Sequence, residues 1–208
     1  MSAFKIKRPE RKITYLPELQ RISSALRRLT TAASLNHGSD CYIHSALAQV
    51  MLADLGIESK IVVGYAGWRV GDGDSDMVLH APLPNMIPQP GIPYHVWLEL
   101  DGHILDFTTY QLRLKAAQMD ELDGGKTNVV WCPDFLFAPK KSTSTLGHVI
   151  QKRAGLYYYA REAKMESRII TAASPLDLDD IAYAWLLYRN QEIQVFGPRD
   201  LLKGDEER

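Results

Sequence analysis

Apolar positions recur at helical spacing near the start of the chain. They predict an amphipathic helix over residues 17–33, with Pro17 in its first turn. The next segment, 36–40, combines Asn, Gly, Ser and Asp and predicts a polar loop. The first quarter of the chain therefore begins with one helix whose polar face meets solvent, followed by a turn.

A second helix is predicted directly after this loop, and its composition differs from that of the first. The run CYIHSALAQVMLADLG begins at Cys41, is apolar or small on nearly all sides, and ends at Gly56. A helix without a polar face is buried in a globular protein. We expect Ser39 or Asp40 to cap its first turn.

Extended segments occupy the middle of the chain. The β-branched and aromatic run at 60–68 predicts a strand, and the runs 94–100 and 103–107 flank Asp101-Gly102. An Asp-Gly pair between alternating apolar residues is a strong indication of a β-hairpin. The interval 71–93 is rich in Gly, Asp and Pro and is expected to be a long loop, which we interpret as a lid or specificity element.

The second half of the chain has weaker periodicity. It predicts helices over 111–121 and 176–190 and strands over 128–132 and 156–160. Ser174-Pro175 is expected to start the last helix, with Ser as cap and Pro at the first helical position. The pattern as a whole predicts one α+β domain spanning 1–208, with an antiparallel sheet packed against a buried helix.

The register of the predicted hairpin brings two polar side chains together. A two-residue turn pairs Leu100 with His103 and therefore Trp97 with Asp106. Because side chains alternate between faces, His95, Trp97 and Asp106 share one face. Diagonal neighbours are separated by roughly 7 Å, so the Asp106 carboxylate can reach the His95 imidazole and fix its tautomer.

Cys41 is the better of two candidate nucleophiles. At a helix start, unpaired N–H groups and the helix dipole favour the thiolate. The Cys41 N–H, together with a donor such as Asn36, is a candidate oxyanion hole. Cys132 lies within the apolar run VVWC and fits an inert buried cysteine.

Charge and composition exclude several classes of function. The net charge is −1 with a sequence pI near 6.6, which leaves no basic surface typical of nucleic-acid binding or of contact with anionic membranes. No apolar run approaches a membrane span, and residues 1–10 lack a secretory pattern. Two cysteines do not form a disulfide framework, so we expect a cytoplasmic protein with a free thiol.

These motifs together resemble the transglutaminase-like superfamily of cysteine enzymes, within the papain-like fold group. The similarity rests on Cys41 opening a helix, the strand KIVVGYAGW, the motif His95-Val-Trp97-Leu-Glu99, and Asp106-Phe-Thr108. It covers about residues 36–110. The compact spacing is most similar to the bacterial peptidases that remove leader peptides during lasso-peptide maturation, although Asp40 stands where the family usually has Gly.

The resemblance implies a function and roles for individual residues. Cys41 would form a thioester, His95 would act as base and acid, and Asp106 would orient His95. The remaining residues of the motifs, Trp97, Glu99 and Thr108, would be supporting residues. The resemblance implies a hydrolase acting on an amide or peptide bond, with no cofactor.

Three alternatives remain open from the sequence alone. An amine could replace water and make the protein an acyltransferase or transglutaminase. Cys41, His44, His95 and Asp106 could instead bind a metal ion, because Cys41 and His44 lie one helical turn apart. The chain could also be a non-catalytic binding module on the same fold.

Overall fold

A computed structural model describes residues 15–34, 37–82, 93–151 and 153–197. The helices are α1 (Leu16–Ala33), α2 (Cys41–Asp54), α3 (Leu112–Asp123), α4 (Leu146–Val149), α5 (Ala163–Ala172) and α6 (Leu178–Arg189). The strands are β1 (Lys60–Arg69), β2 (Met77–His80), β3 (His95–Leu100), β4 (His103–Asp106), β5 (Leu136–Pro139) and β6 (Tyr157–Arg161). Short 3₁₀ turns cover Thr109–Gln111 and Lys140–Ser142.

The strands form one antiparallel sheet in the order β2-β1-β3-β4-β5, and β6 also pairs with β1. Helices cover both faces of this sheet, so the fold is α+β, as the sequence predicts. The pairing Leu100 with His103 and Glu99 with Ile104 confirms the predicted register of the β3–β4 hairpin. The Asp101-Gly102 turn has positive φ at both residues, which this tight connection requires.

The ten-residue strand β1 organises the site because two strands share one of its edges. Gly64 pairs with both His95 and Arg161, and Ala66 pairs with both His80 and Tyr159. Since β6 occupies one edge over this stretch, β3 and β2 must follow each other along the opposite edge. His95 and His80 therefore lie side by side, although 14 residues of sequence separate them.

Each face of the sheet has its own core. One core contains Trp68, Trp97, Ile104 and Tyr159 and is covered by Leu112 and Ala116 of α3. The other packs β3 and β4 against α1, α2 and α6; its buried residues include Leu26, Leu47, Met51, Leu98, Leu105 and Phe107. Complete burial of α2 side chains such as Ala48 and Leu52 confirms that this apolar helix is internal.

Several predictions about local structure are wrong in detail. Residues 128–132 form no strand, because Val130 and Trp131 both donate backbone hydrogen bonds to the carbonyl of Val70 and do not continue into a ladder. The interval 71–93 is not entirely loop, since it contains β2; its residues 83–92 lie outside the described ranges.

The predicted helix caps also differ from the observed ones. The cap of α6 is Asp177, whose carboxylate accepts from the N–H of Asp179; the helix begins three residues beyond Pro175. Asp40 occupies the cap position of α2, but its side chain makes no capping hydrogen bond there. A buried partner elsewhere uses that carboxylate, as described below.

None of the helices in the described ranges has both the length and the apolar character needed to cross a bilayer.

Candidate active site

His95 and Asp106 form the centre of the site. The Nε2 atom of His95 lies 2.8 Å from Oδ2 of Asp106, and both side chains are fully buried. This contact follows from the hairpin register, which places the two residues diagonally on one face. The His95–Asp106 contact predicted from the sequence is therefore present.

The Asp106 carboxylate accepts four hydrogen bonds. Its Oδ1 atom accepts from the N–H and the hydroxyl of Thr108, each at 2.8 Å, and its Oδ2 atom accepts from His95 and from the hydroxyl of Tyr159 at 2.7 Å. Burial by itself would raise the pKa of Asp106, but the charge and hydrogen bond of His95 outweigh it and hold the pKa well below its usual range. The carboxylate is thus a fixed, ionised partner for His95.

Cys41 interacts electrostatically with His95. Because Nε2 binds Asp106, Nδ1 is the remaining ring nitrogen, and it has no hydrogen-bond partner among the described residues. Burial would raise the pKa of the Cys41 thiol, but its interaction with His95 lowers the pKa below the ordinary value. Conversely, burial would lower the pKa of His95, and the Asp106 charge together with Cys41 raises it. These opposite shifts favour a thiolate–imidazolium pair.

The start of α2 and the beginning of β3 bring these two residues together. Cys41 is the first residue of α2, so its own N–H has no partner within the helix. Its side chain packs against Val63 and Val96, and Val96 directly follows His95 in β3. Only 7% of the surface of Cys41 is exposed, so the candidate nucleophile is sheltered from solvent.

Aromatic rings surround the His95 imidazole. The ring of Trp68 meets it edge-on at 4.8 Å between centroids, and Trp97 stacks at 6.3 Å. The imidazole of His80 stacks on it at 5.7 Å. Burial, followed by the charges of Lys115 and His95, holds the pKa of His80 well below its ordinary value, which favours the neutral imidazole. His95 is thereby fixed in a site of low polarity.

Lys115 is a charged residue of the site that the sequence does not reveal. It lies on the core-facing side of α3, is 3% exposed, and places its Nζ atom 5.6 Å from the centre of the Trp68 ring. Its positive charge contributes to lowering the pKa values of Cys41 and Asp106. Lysine is rarely buried this deeply without a partner.

His44 has partners of its own and does not join the site. Its Nδ1 atom lies 3.1 Å from the carbonyl of Asp40, and its Nε2 atom lies 3.1 Å from Thr30 and 3.0 Å from Tyr110. Burial lowers the pKa of His44 despite the nearby Asp40 charge. A metal site shared by Cys41 and His44 would require the hydrogen bonds of His44 to break. No metal-binding cluster occurs within the described ranges.

Asp40, the residue before the candidate nucleophile, is buried and paired. Its Oδ1 atom accepts from Nε2 of Gln111 at 3.0 Å, and its Oδ2 atom lies 3.8 Å from His37. Burial would raise the pKa of Asp40, but the interactions with His37 and His44 outweigh it and hold the pKa well below its usual range. Asp40 thus connects the start of α2 to the 3₁₀ turn after β4.

Only some of the other supporting residues predicted from the sequence lie in the site. Thr108 contacts Asp106, and Trp97 stacks on His95, although the buried Nε1 of Trp97 has no partner in the described part of the chain. Glu99 is not part of the site, because it lies farther along β3 and pairs with Lys140 at 2.7 Å. Asn36 lies outside the described residues.

A groove of about 430 Å³ lies elsewhere, between α1, α6 and the segment 193–197. Its lining residues include Leu29, Leu187 and Val195, and no residue of the His95 cluster contributes to it. The groove and the buried polar cluster are therefore separate features of the molecule.

Sequence reasoning missed Tyr159, His80, Trp68 and Lys115. Tyr159 belongs to a run of three tyrosines, and the alternation of a strand places Tyr157 and Tyr159 on one face. Lys115 interrupts the apolar positions 112, 116 and 119 of α3, which is the pattern of a lysine on a core-facing stripe. The partners that these residues contact could not be deduced, because they are far apart in sequence.

Comparisons with known proteins agree with an α+β fold and do not assign an activity. A solved structure described as "The crystal structure of genomics APC5867" is similar with a TM-score of 0.60 and 15% identity, covering 89% of this chain and 85% of that chain. No curated protein matches the chain. The family model described as "Protein of unknown function (DUF2026)" matches residues 15–195. This match covers most of the chain, which therefore belongs to the DUF2026 family.

Proposed function

We propose that this protein is a cysteine-dependent hydrolase of amide or peptide bonds, built on a transglutaminase-like core. The observation that carries the proposal is the position of His95, whose Nε2 atom lies 2.8 Å from the fully bonded Asp106 carboxylate and whose imidazole interacts electrostatically with the buried Cys41 thiol. A nucleophile, a base and an orienting acid in this order form the arrangement used for acyl transfer.

In the first half of the reaction, the Cys41 thiolate attacks the carbonyl carbon of the substrate. The carbon–sulfur bond forms as the carbonyl π electrons move to oxygen. The N–H of Cys41, unpaired at the start of α2, is available to stabilise that oxygen. When the carbon–nitrogen bond breaks, the His95 imidazolium gives its proton to the departing amine, leaving a thioester on Cys41 and a neutral His95.

In the second half, water resolves the thioester. Neutral His95 accepts a proton from water, and the resulting hydroxide attacks the thioester carbon. The carbon–sulfur bond then breaks to release the carboxylic acid and the Cys41 thiolate, which again pairs with the His95 imidazolium. Asp106 keeps one tautomer and orientation of His95 throughout, because its Oδ2 atom stays bound to Nε2.

Acyl transfer to an amine is the second candidate, and the shelter of the site favours it. Cys41 is 7% exposed and His95 is completely buried. Restricted access of water would give a bound amine time to attack the thioester. Acylation with p-nitrophenyl acetate, followed by deacylation with and without glycinamide, distinguishes the two: acetylglycinamide as the main product indicates transfer, whereas acetate indicates hydrolysis.

The proposal is tested by the pH dependence of iodoacetamide alkylation of Cys41 in a Cys132→Ser background. In the parent, the midpoint of reactivity should lie below the ordinary thiol value of about 8.5. His95→Ala should move the midpoint upward and lower the rate at pH 6 by about tenfold or more. The exposed His148 provides a matched control, since His148→Ala should leave the profile unchanged.

An additional variant tests whether the acyl-enzyme forms on Cys41. With p-nitrophenyl acetate, the parent should release a burst of p-nitrophenolate equal to the protein concentration, and Cys41→Ser should remove this burst. A Cys41 that is unreactive, or whose profile is indifferent to His95→Ala, would contradict the proposal and favour a binding function on the same fold.

A further inference from the structure

Lys115 stands on the apolar stripe of α3 that covers the catalytic face of the sheet. Its neighbours Leu112 and Ala116 are core residues of that face. The Nζ atom of Lys115 lies 5.6 Å from the centre of the Trp68 ring, and the same ring lies 4.8 Å from the His95 ring. The ammonium group therefore lies beside the aromatic ring that contacts the candidate base.

No described carboxylate forms an ion pair with Lys115. Asp106 interacts electrostatically with Lys115, but its two oxygens already accept hydrogen bonds from Thr108, His95 and Tyr159. The segment 83–92 between β2 and β3 contains no acidic residue. A buried ammonium without a counter-ion is unfavourable in the free protein and is stabilised when an anion binds beside it.

Two buried polar atoms next to His95 lack partners among the described residues. They are Nε2 of His80 and Nε1 of Trp97, whose rings stack on the His95 imidazole at 5.7 and 6.3 Å between centroids. A folded protein satisfies nearly all of its buried polar groups. Their coincidence with Lys115 around one imidazole indicates a site that is completed by a polar ligand.

We propose that Lys115 determines substrate specificity by binding a carboxylate of the acyl substrate close to the bond that Cys41 attacks. The proposal rests on the proposed function and specifies its substrate class, an anionic amide or peptide. The carboxylate pairs with Nζ, while the apolar stem of Lys115 and the Trp68 ring exclude water from the pair. Low polarity strengthens this attraction relative to a surface ion pair.

The test compares two alkylating probes of Cys41 that differ in charge, iodoacetate and iodoacetamide, in the Cys132→Ser background. Loss of a general electrostatic effect on the thiolate changes both rates together, so their ratio isolates recognition of the carboxylate. We expect Lys115→Met to lower the iodoacetate-to-iodoacetamide rate ratio by about tenfold. Lys115→Arg should keep the ratio within about twofold of the parent, because the charge remains.

Arg113 provides the matched control. It lies on the same helix and carries the same charge, but it is exposed. Arg113→Met should leave the ratio within about twofold of the parent, because solvent screens an exposed charge. If Arg113→Met and Lys115→Met lower the ratio equally, or if neither changes it, the specific role of Lys115 is overturned while the proposed function stands.

A measurement on the protein with Lys115 in place covers the case in which Lys115→Met does not fold. At constant ionic strength, acetate should slow the alkylation of Cys41 by iodoacetamide in a saturable manner, and acetamide should not. Absence of this protection overturns the inference. Failure of both probes to alkylate Cys41 is a different result, because it contradicts the proposed function itself.

Discussion

The hydroxyl of Tyr159 donates a 2.7 Å hydrogen bond to the same Asp106 oxygen that binds His95. Tyr159 in turn accepts a hydrogen bond from Nε1 of Trp68 at 2.8 Å. The Tyr159 side chain of β6 thus reaches over β1 and β3 to Asp106 on β4, and a chain of hydrogen bonds runs from Trp68 through Tyr159 and Asp106 to His95. This chain fixes the imidazole more firmly than a hairpin alone would.

Tyr159→Phe should weaken both the site and the fold. It removes the donor to Asp106 and leaves Nε1 of Trp68 buried without an acceptor, which should lower the free energy of unfolding by about 1–3 kcal/mol. With one donor fewer, the pKa of Asp106 should rise, and the alkylation rate of Cys41 at pH 6 should fall. Urea unfolding and iodoacetamide kinetics measure the two effects.

Tyr157→Phe is the control for this substitution. The Tyr157 hydroxyl contacts the exposed Ser142 at 2.8 Å and is not bonded to Asp106. If Tyr157→Phe and Tyr159→Phe lower the unfolding free energy and the alkylation rate equally, the effects come from loss of any tyrosine hydroxyl on β6 and not from loss of the bond to Asp106.

Replacement of Asp106 should alter how stability depends on pH. The folded-state pKa of Asp106 lies below its unfolded value, so its stabilisation is present above about pH 4 and is lost as the pH falls through the folded-state value. Asp106→Asn should lower the free energy of unfolding by about 3–5 kcal/mol at pH 7, and by less in acid.

Denaturant unfolding of Asp106→Asn at pH 7 and pH 3 checks this expectation. Glu121→Gln removes the same charge from an exposed position of α3 and should produce little change at either pH. A pH-independent difference between the parent and Asp106→Asn would contradict the ionised state assigned to Asp106.

The pKa values of the buried histidines should be shifted in opposite directions. Burial lowers the pKa values of His44 and His80, whereas the pKa of His95 is raised because Asp106 and Cys41 overcome its burial. Long-range ¹H–¹⁵N spectra between pH 4 and 9 should show His95 still protonated above pH 6.5 and the other two neutral at that pH. Glutamine substitutions assign the signals, and a neutral His95 at pH 6.5 would refute the ion pair.

Gly64→Ala should disturb the site by changing the packing of β1 against β6. A Cβ at position 64 would overlap the carbonyl oxygen of Ala160 and lie 2.8 Å from the Cα of Arg161. Because these are backbone atoms, β6 must move, and we expect a loss of about 2 kcal/mol or more in unfolding free energy. Gly147→Ala, where the nearest atom is 3.9 Å away, is the control and should be nearly neutral.

The hairpin shows how far local sequence can define the site. The Asp-Gly turn fixed one register, and the two-residue period then placed His95 near Asp106 without any knowledge of the rest of the chain. The start of α2 at Cys41 could be predicted in the same way, because a polar loop ends where an apolar run begins. Both features depend on contacts between residues that are near in sequence.

The strand β2 shows where that reasoning stops. Its four residues are surrounded by Gly, Asp and Pro and have no distinctive pattern, so the interval resembles a loop. It is a strand because the edge of β1 beyond Gly64 is free to pair with it. Conversely, residues 128–132 have the composition of a strand, but Val130 and Trp131 both donate to the carbonyl of Val70 and do not continue into a ladder.

The sequence by itself determined the α+β class, the buried helix that begins with Cys41, and the meeting of His95 with Asp106, because helix periodicity, strand alternation and a tight turn act over short distances. Only the tertiary structure decided that Tyr159, His80 and Lys115 join them. Those residues come from β6, β2 and α3, and their positions depend on which edges and faces of the sheet remain available after β1, β3 and β4 have paired. Packing across the whole molecule determines which edges and faces are used, and a local sequence pattern does not contain that information.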